Sequence, residues 1–184
     1  VGIYLSGHPL DDYKVEMNNF CNGNFSMLND LDKIYGKELR FAGVVTKVEH
    51  RETKTGKPFG ILQIEDYHDS FSFYLFSDDY INFKAYFTEG WLLHISGKVK
   101  KRFYNDELEF KISSIDLLSE LIDKEVRDVM LKVDIKDVSE QLVSDLVHIV
   151  SENKGKHSLV FNVVDHLNKY EVDLLSRKMK VNLD

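Results

Sequence analysis

Between residues 39 and 115, apolar side chains recur mostly at every second position, in short runs separated by polar or glycine-containing turns. That period belongs to half-buried β-strands. The first run covers residues 39–48, and Gly43 inside it predicts a bulge or bend. Thr55-Gly-Lys-Pro58 is a turn cluster. Strands follow at residues 59–65 and 71–76, on either side of the polar stretch 66–70. In residues 78–88, Ile81, Ala85 and either Phe83 or Tyr86 fall at helical spacing behind Asp78, an acid placed to cap, which predicts a short helix. From Trp91 to Arg102 the alternation is clean: Leu93, Ile95, Gly97 and Val99 face one way, His94, Ser96, Lys98 and Lys100 the other. Asn105-Asp106 turns the chain into a fifth strand carrying Leu108, Phe110 and Ile112. Five strands with one helix between the third and fourth is the order of an OB-fold barrel, β-β-β-α-β-β.

The pattern after residue 117 is different. Val129, Leu131, Val133 and Ile135 alternate as a strand, and Asp137 followed by Glu140 resembles a capping box. Leu142, Leu146, Ile149 and Val150 form a helix stripe that ends at Asn153-Lys-Gly-Lys156. Two more strands hold Leu159, Phe161 and Val163, then Tyr170, Val172 and Leu174. The expected fold is therefore mainly β with an α+β portion. An N-terminal helix and linker occupy residues 1–36, a five-stranded OB-fold barrel 37–117, and a small β-α-β-β module 118–184.

Charge changes this picture only when it is divided along the chain. The whole chain of 184 residues is acidic, with a formal net charge of −7, which by itself argues against a polyanionic ligand. Residues 1–36 have net charge −3, residues 37–115 are neutral, and residues 116–184 have −4. The acid excess thus lies outside the barrel. Within the barrel, basic residues cluster at the loop around residues 50–58 and at Lys98-Val-Lys-Lys-Arg102. One cysteine, Cys21, excludes a disulfide framework and any multi-cysteine zinc site. No run approaches a membrane span, and no signal peptide is visible, so a cytoplasmic location is expected.

The residues offer little for catalysis. Acid pairs at Asp11-Asp12, Glu65-Asp66 and Asp78-Asp79, and the spaced pair Glu107 and Glu109, abut turns or a helix start, where solvation and capping account for them. The histidines lack metal-protease spacing, and the Gly56 turn lacks the spacing of a phosphate loop. No cofactor is expected. Binding is better supported, because OB-folds grip extended nucleic acid on strands 2 and 3, between the 1–2 and 4–5 loops. Lys47, Arg51, Lys54, Lys57, Lys98, Lys100 and Arg102 are placed to meet phosphates, and Phe59, Phe103 and Tyr104 to stack bases. Alternation points Leu62 and Ile64 into the barrel and leaves Ile61, Gln63, Ser72 and Tyr74 outside, which adds Gln63 and Tyr74 to the site.

Gly2-Ile-Tyr-Leu-Ser-Gly-His-Pro-Leu-Asp-Asp-Tyr13 resembles a signature of the alpha subunit of bacterial DNA polymerase III, a string that lies just ahead of that family's OB domain. Phe41-Ala-Gly-Val-Val45, Thr53-Lys-Thr-Gly-Lys-Pro58, Leu62-Gln-Ile-Glu-Asp66, Glu89-Gly90 and Ile95-Ser-Gly-Lys-Val99 resemble its barrel strings in order. Tyr67-His-Asp-Ser70 departs from it, standing where a Thr-Gly turn is usual.

The resemblance implies a non-catalytic C-terminal region of a replicative polymerase that binds single-stranded template DNA weakly and contacts the rest of the polymerase chain. It places the metal-holding aspartates upstream, so divalent metal is expected only there. It implies a rigid bend at Gly7-His-Pro9, with His8 a structural hydrogen-bonder. No Gln-x-x-Leu/Met-Phe sliding-clamp peptide is found in these residues. Two rival readings stand beside this one. The chain could be a docking platform for the clamp-loader tau subunit, or it could be the anticodon-binding OB domain of a tRNA synthetase.

Overall fold

The computed structural model describes residues 7–102 and 105–183. The chain divides into two compact units, Val1–Leu121 and Ile122–Asp184.

In the first unit a short helix, α1 (Lys14–Phe20), flanked by 3-10 turns, leads into β1 (Glu38–Glu52). β2 (Pro58–Glu65) and β3 (Ser70–Phe76) follow, then α2 (Ser77–Phe83), β4 (Leu92–Lys101) and β5 (Leu108–Leu117). The sheet order is β3-β2-β1-β4-β5, every neighbour antiparallel. β1 is long enough to serve both halves of the sheet: residues 38–44 pair with β4, and residues 44–52 pair with β2. This is the OB-fold arrangement.

The expected closed barrel is not formed by hydrogen bonds, since β3 and β5 are the two ends of the sheet. Side chains bridge the gap instead. Phe73 and Phe110 approach with ring centroids 6.1 Å apart, and Leu31 packs against the same core. The core is centred on Phe41, Leu62, Ile64, Leu93 and Ile95, all fully buried. Leu62 and Ile64 point inward as the alternation predicts.

Residues ahead of β1 contribute to this core. Phe25, Leu28 and Ile34 are buried among the strand residues, and Leu10 packs with Ala42, Leu118 and Leu121 in a second cluster. Asp66, itself buried, holds the junction. Its carboxylate accepts hydrogen bonds from the backbone N–H of Phe25 (2.8 Å), His68 (2.7 Å) and Asp69 (2.9 Å).

Three local expectations are corrected in this unit. The bulge in β1 lies between Val45 and Lys47, at Thr46, not at Gly43. Gly43 is required for another reason: a Cβ there would lie 2.4 Å from Ile64 Cγ2 and 2.7 Å from the carbonyl of Glu65. Asp78 does not cap α2; it sits inside the first turn, where a carboxylate still favours the helix N-terminus. The helix packs through Tyr80, Phe83 and Tyr86, not Ile81, because it tightens into a 3-10 turn after Phe83 and so favours three-residue spacing.

The second unit opens with most of a five-residue helix, α3 (Leu121–Glu125). It continues through β6 (Asp128–Asp134), α4 (Glu140–Glu152), β7 (Lys154–Asp165) and β8 (Tyr170–Val181). β6 and β7 are parallel, with α4 as the crossover, and β8 returns antiparallel to β7. The N-cap of α4 is Ser139, whose hydroxyl accepts from Leu142 N–H at 3.1 Å, and not Asp137, which closes the preceding 3-10 turn. The helix ends at Asn153, whose side-chain amide donates to the carbonyl of Ile149 at 2.8 Å, so Gly155 already belongs to β7. His157 is the polar anchor of this unit. It is almost wholly buried, with Nδ1 2.9 Å from the carbonyl of Val126 and Nε2 3.1 Å from Asp123.

Candidate nucleic-acid interface

Strand register assembles the site. Past the Thr46 bulge, Lys47, Glu49 and Arg51 face outward from β1. Their partners across β2 are Gln63, Ile61 and Phe59, and the next row on β3 is Ser72, Tyr74 and Phe76. The result is a nine-residue outward face, three side chains on each of three strands. Seven of these residues, without the aromatic pair Phe59 and Phe76, line a shallow concavity of about 290 Å³.

The face divides by chemistry. Phe59 and Phe76, directly opposite in the ladder, stack at 5.1 Å with an 18° tilt. Tyr74 is 60% exposed and Phe76 is 50% exposed. Large rings held this far out of the core present free π-faces beside the amide of Gln63 and the hydroxyl of Ser72. Along the β1 edge, Glu49 accepts from Lys47 Nζ at 2.7 Å and from the Arg51 guanidinium. The bond from Lys47 is the main reason its carboxyl lies below the usual glutamate range, helped by Arg51 and opposed by partial burial.

Beyond this face, the β1–β2 hairpin is closed by bonds between Thr53 and Lys57 in both directions, with Gly56 at φ +76° where the turn needs a left-handed residue. Lys54 and Lys57 sit exposed on it, and neither has an acidic partner within 4.0 Å among the described residues. A second cleft, between β3 and β5, shares Ser72 and Tyr74 with the first and adds Arg102, Glu109 and Phe110. Arg102 donates there to Glu109 (3.0 Å) and Glu107 (3.2 Å).

The structure thus brings Lys47, Arg51, Phe59, Gln63 and Tyr74 onto one face, with Arg102 in the adjoining cleft and Lys54 and Lys57 on the flanking hairpin. Lys98 and Lys100 do not join them. They lie exposed on β4, opposite Glu38 and Lys111 and opposite Glu109 respectively. Phe103 and Tyr104 lie outside the described residues. Phe76 was missed by sequence reasoning, although it stands two positions beyond Tyr74 and so shares its face. Among the described residues, no group of three or more His, Cys, Asp or Glu side chains could hold a metal ion, and no helix is long and apolar enough to cross a membrane. Burial pushes the Cys21 thiol up to about 11, which disfavours the thiolate.

Comparison with known proteins follows the same division. Residues 39–118 match the OB-fold nucleic acid binding domain family, and residues 129–184 match the DNA polymerase III alpha subunit, C-terminal domain family. DNA polymerase III subunit alpha of Borreliella burgdorferi is 28% identical over 188 aligned residues, covering 99% of this chain and 15% of the relative. The Bacillus subtilis subunit is 24% identical over 156 residues, 85% of this chain and 14% of the relative. The Escherichia coli K12 subunit is 24% identical over 147 residues, 79% and 12%. Over most of its length the chain is similar to DNA polymerase III alpha subunits. It spans about one seventh of the length of these relatives.

The alpha-subunit signature is described from Gly7 onward, and its turn is held by the segment that departs from the family pattern. His8 N–H donates to Asp11 (2.8 Å), and His8 Nδ1 accepts from Leu10 N–H (3.2 Å), closing a capping box around Pro9. The Tyr67 hydroxyl donates to Asp11 at 2.9 Å, and its ring lies 4.4 Å from that of His8. The hydrogen bond from Tyr67 holds the Asp11 carboxyl below its ordinary range, while burial and Asp11 together push the Tyr67 hydroxyl up to about 12.

Proposed function

We propose that this chain is a non-catalytic part of a replicative polymerase alpha subunit, and that the outward face of β1, β2 and β3 holds single-stranded template DNA. The observation that carries this reading is the pair of exposed rings Phe76 and Tyr74, with half-buried Phe59 stacked on Phe76, placed beside Gln63 and Ser72 and flanked by the hairpin lysines. Exposed aromatic rings on a sheet suit unpaired bases, because every base offers a π-face and duplex DNA hides it. Lys54 and Lys57 supply phosphate contacts, so binding is weak and falls with salt. Polymerisation belongs to portions of the relatives that this chain does not span.

Fluorescence anisotropy of labelled oligo-dT tests the reading. Tyr74→Ala should weaken binding about five- to hundredfold, the equivalent of ~1–3 kcal/mol for one stacked base. Lys54→Ala with Lys57→Ala should lower affinity at low salt and reduce its salt dependence. No binding of oligo-dT at low salt and high protein concentration would overturn it, and a preference for a tRNA would favour the anticodon reading.

A docking role has its own observation, in the second unit. Between α4 and the β6–β7–β8 sheet lies an apolar cavity of about 270 Å³, lined by residues including Val143, Val147, Phe161 and Leu174. A surface of this kind suits an apolar partner segment, and the clamp-loader tau subunit is the partner to try. Val143→Glu should abolish such an association without affecting oligo-dT binding.

A further inference from the structure

The nine-residue face contains one carboxylate, and this inference about it rests on the reading that a single strand lies there. Glu49 stands in the middle of the β1 row, between Lys47 and Arg51 and opposite Ile61. One of its oxygens holds the Lys47 ammonium and the other the Arg51 guanidinium. The acid is set low and the bases stand proud: its side chain is 23% exposed, against 60% for Lys47 and 56% for Arg51. In the adjoining cleft Arg102 is also held by two carboxylates, Glu107 and Glu109, though there Glu107 is the more exposed partner, 64% against 50%. On both parts of the surface, then, a carboxylate already occupies the position in which a phosphate would sit.

We propose that Glu49 is a built-in competitor for backbone phosphate, and that it makes the face a reader of unpaired bases instead of a phosphate clamp. A phosphate reaching Lys47 or Arg51 exchanges one anion for another, and the carboxylate it displaces stays next to it on a fixed strand. The net gain from these cations is therefore small. Stacking on Phe59, Tyr74 and Phe76 is untouched by the exchange. Recognition is left to the rings, which accept any base in a single strand and nothing in a duplex. Glu49 thereby sets both the strength of binding and the preference for single strands. A hold of this kind suits a template that must pass across the surface.

The experiment compares the 184-residue chain with Glu49→Gln and with Glu38→Gln, which removes the same charge from an exposed position in the half of β1 that pairs with β4. Oligo-dT and a duplex of equal length are titrated by anisotropy between about 50 and 200 mM salt. Glu49→Gln should bind oligo-dT about three- to tenfold more tightly at low salt, with a salt slope steeper by about 1, as expected for one or two newly available phosphate contacts. It should also gain affinity for duplex, which the unaltered chain should bind more weakly than oligo-dT. Glu38→Gln should change affinity less than about twofold, as a remote surface charge does.

A double-mutant cycle supplies a readout that a merely structural role would not move. The loss caused by Lys47→Met should be larger in the Glu49→Gln background than beside Glu49, and should cancel about half of the gain, because Arg51 is freed as well. The proposal is overturned if the unaltered chain binds and Glu49→Gln binds equally or more weakly, or if Glu38→Gln produces the same gain. If neither the chain nor Glu49→Gln binds oligo-dT, the reading of the face as a strand site falls, and this inference with it.

Discussion

The two units of the molecule solve the burial problem differently. The OB unit seals its interior: sixteen apolar residues are buried in one cluster, five of them with no measurable exposure, and aromatic contacts close the side that backbone pairing leaves open. The C-terminal unit gathers three into a cluster, Val150, Leu159 and Val181, with Val164 buried apart from them. It leaves Val143, Val147, Ile149, Leu174 and Leu175 between 43% and 61% exposed. A finished core frees the outer face of its sheet to carry polar and aromatic groups for a ligand. An unfinished one leaves apolar surface open in the core itself. The difference separates a unit that can bind a polar, extended ligand from one suited to an apolar partner.

The largest effects should fall where that contrast is sharpest. Phe41→Ala removes a fully buried ring packed 5.3 Å from both Phe25 and Phe110, and should destabilise the OB unit by about 3–5 kcal/mol in denaturant unfolding. Val147→Ala in α4 should cost less than about 1 kcal/mol, because its side chain is already 43% exposed. Equal losses would mean that the second core is closed. Next in size is Asp66→Ala, which leaves three backbone N–H groups without their acceptor and should cost about 1–3 kcal/mol, in the OB unit alone.

The smallest effect concerns acid. In each unit a carboxylate held below its ordinary range ties a short helical segment in place: Asp11 through Tyr67, and Asp123 through Lys156 with help from His157. A lowered folded-state pKa gives stability that is present above the ordinary aspartate range and is lost as pH falls through the lowered value. Tyr67→Phe and Lys156→Met should each move the matching carboxyl back up in an NMR titration. Acid loosening of that unit alone should then begin at higher pH.

Much of this architecture was legible because strand alternation is a short-range signal. Leu93, Ile95 and Val99 alternate with Ser96, Lys98 and Lys100, and that fixes which side of β4 is inward without knowledge of its neighbours. Ile61, Gln63, Ser72 and Tyr74 were read as outward by the same rule, and they line the site concavity. The failures share a cause: each depends on a contact that strand alternation does not show. Nothing near Phe73 announces that it meets Phe110 in place of a β3–β5 ladder. Gly43 looks like a bulge until Ile64 is seen against it. The basic residues were counted as available cations, whereas Glu49, Glu107 and Glu109 already hold three of them. Lys98 and Lys100 were grouped with Lys47 because loop proximity was inferred without the course of β1.

The Thr46 bulge has a consequence for how the chain tolerates change. Before it, the odd-numbered residues of β1, Leu39, Phe41 and Val45, are buried; after it, the odd-numbered Lys47, Glu49 and Arg51 are the ones turned to solvent. The extra residue therefore acts as a parity switch. Drawing Thr46 into the regular pleat, with the number of residues kept, would turn Lys47, Glu49 and Arg51 toward the interior and bring Val48 out in their place. Deleting Thr46 would instead remove the bulge and leave both faces as they are, because Val45 and Lys47 already pair with the adjacent Ile64 and Gln63. At this point in the chain it is the bulge, more than the identity of the side chain on it, that lets one strand serve two faces.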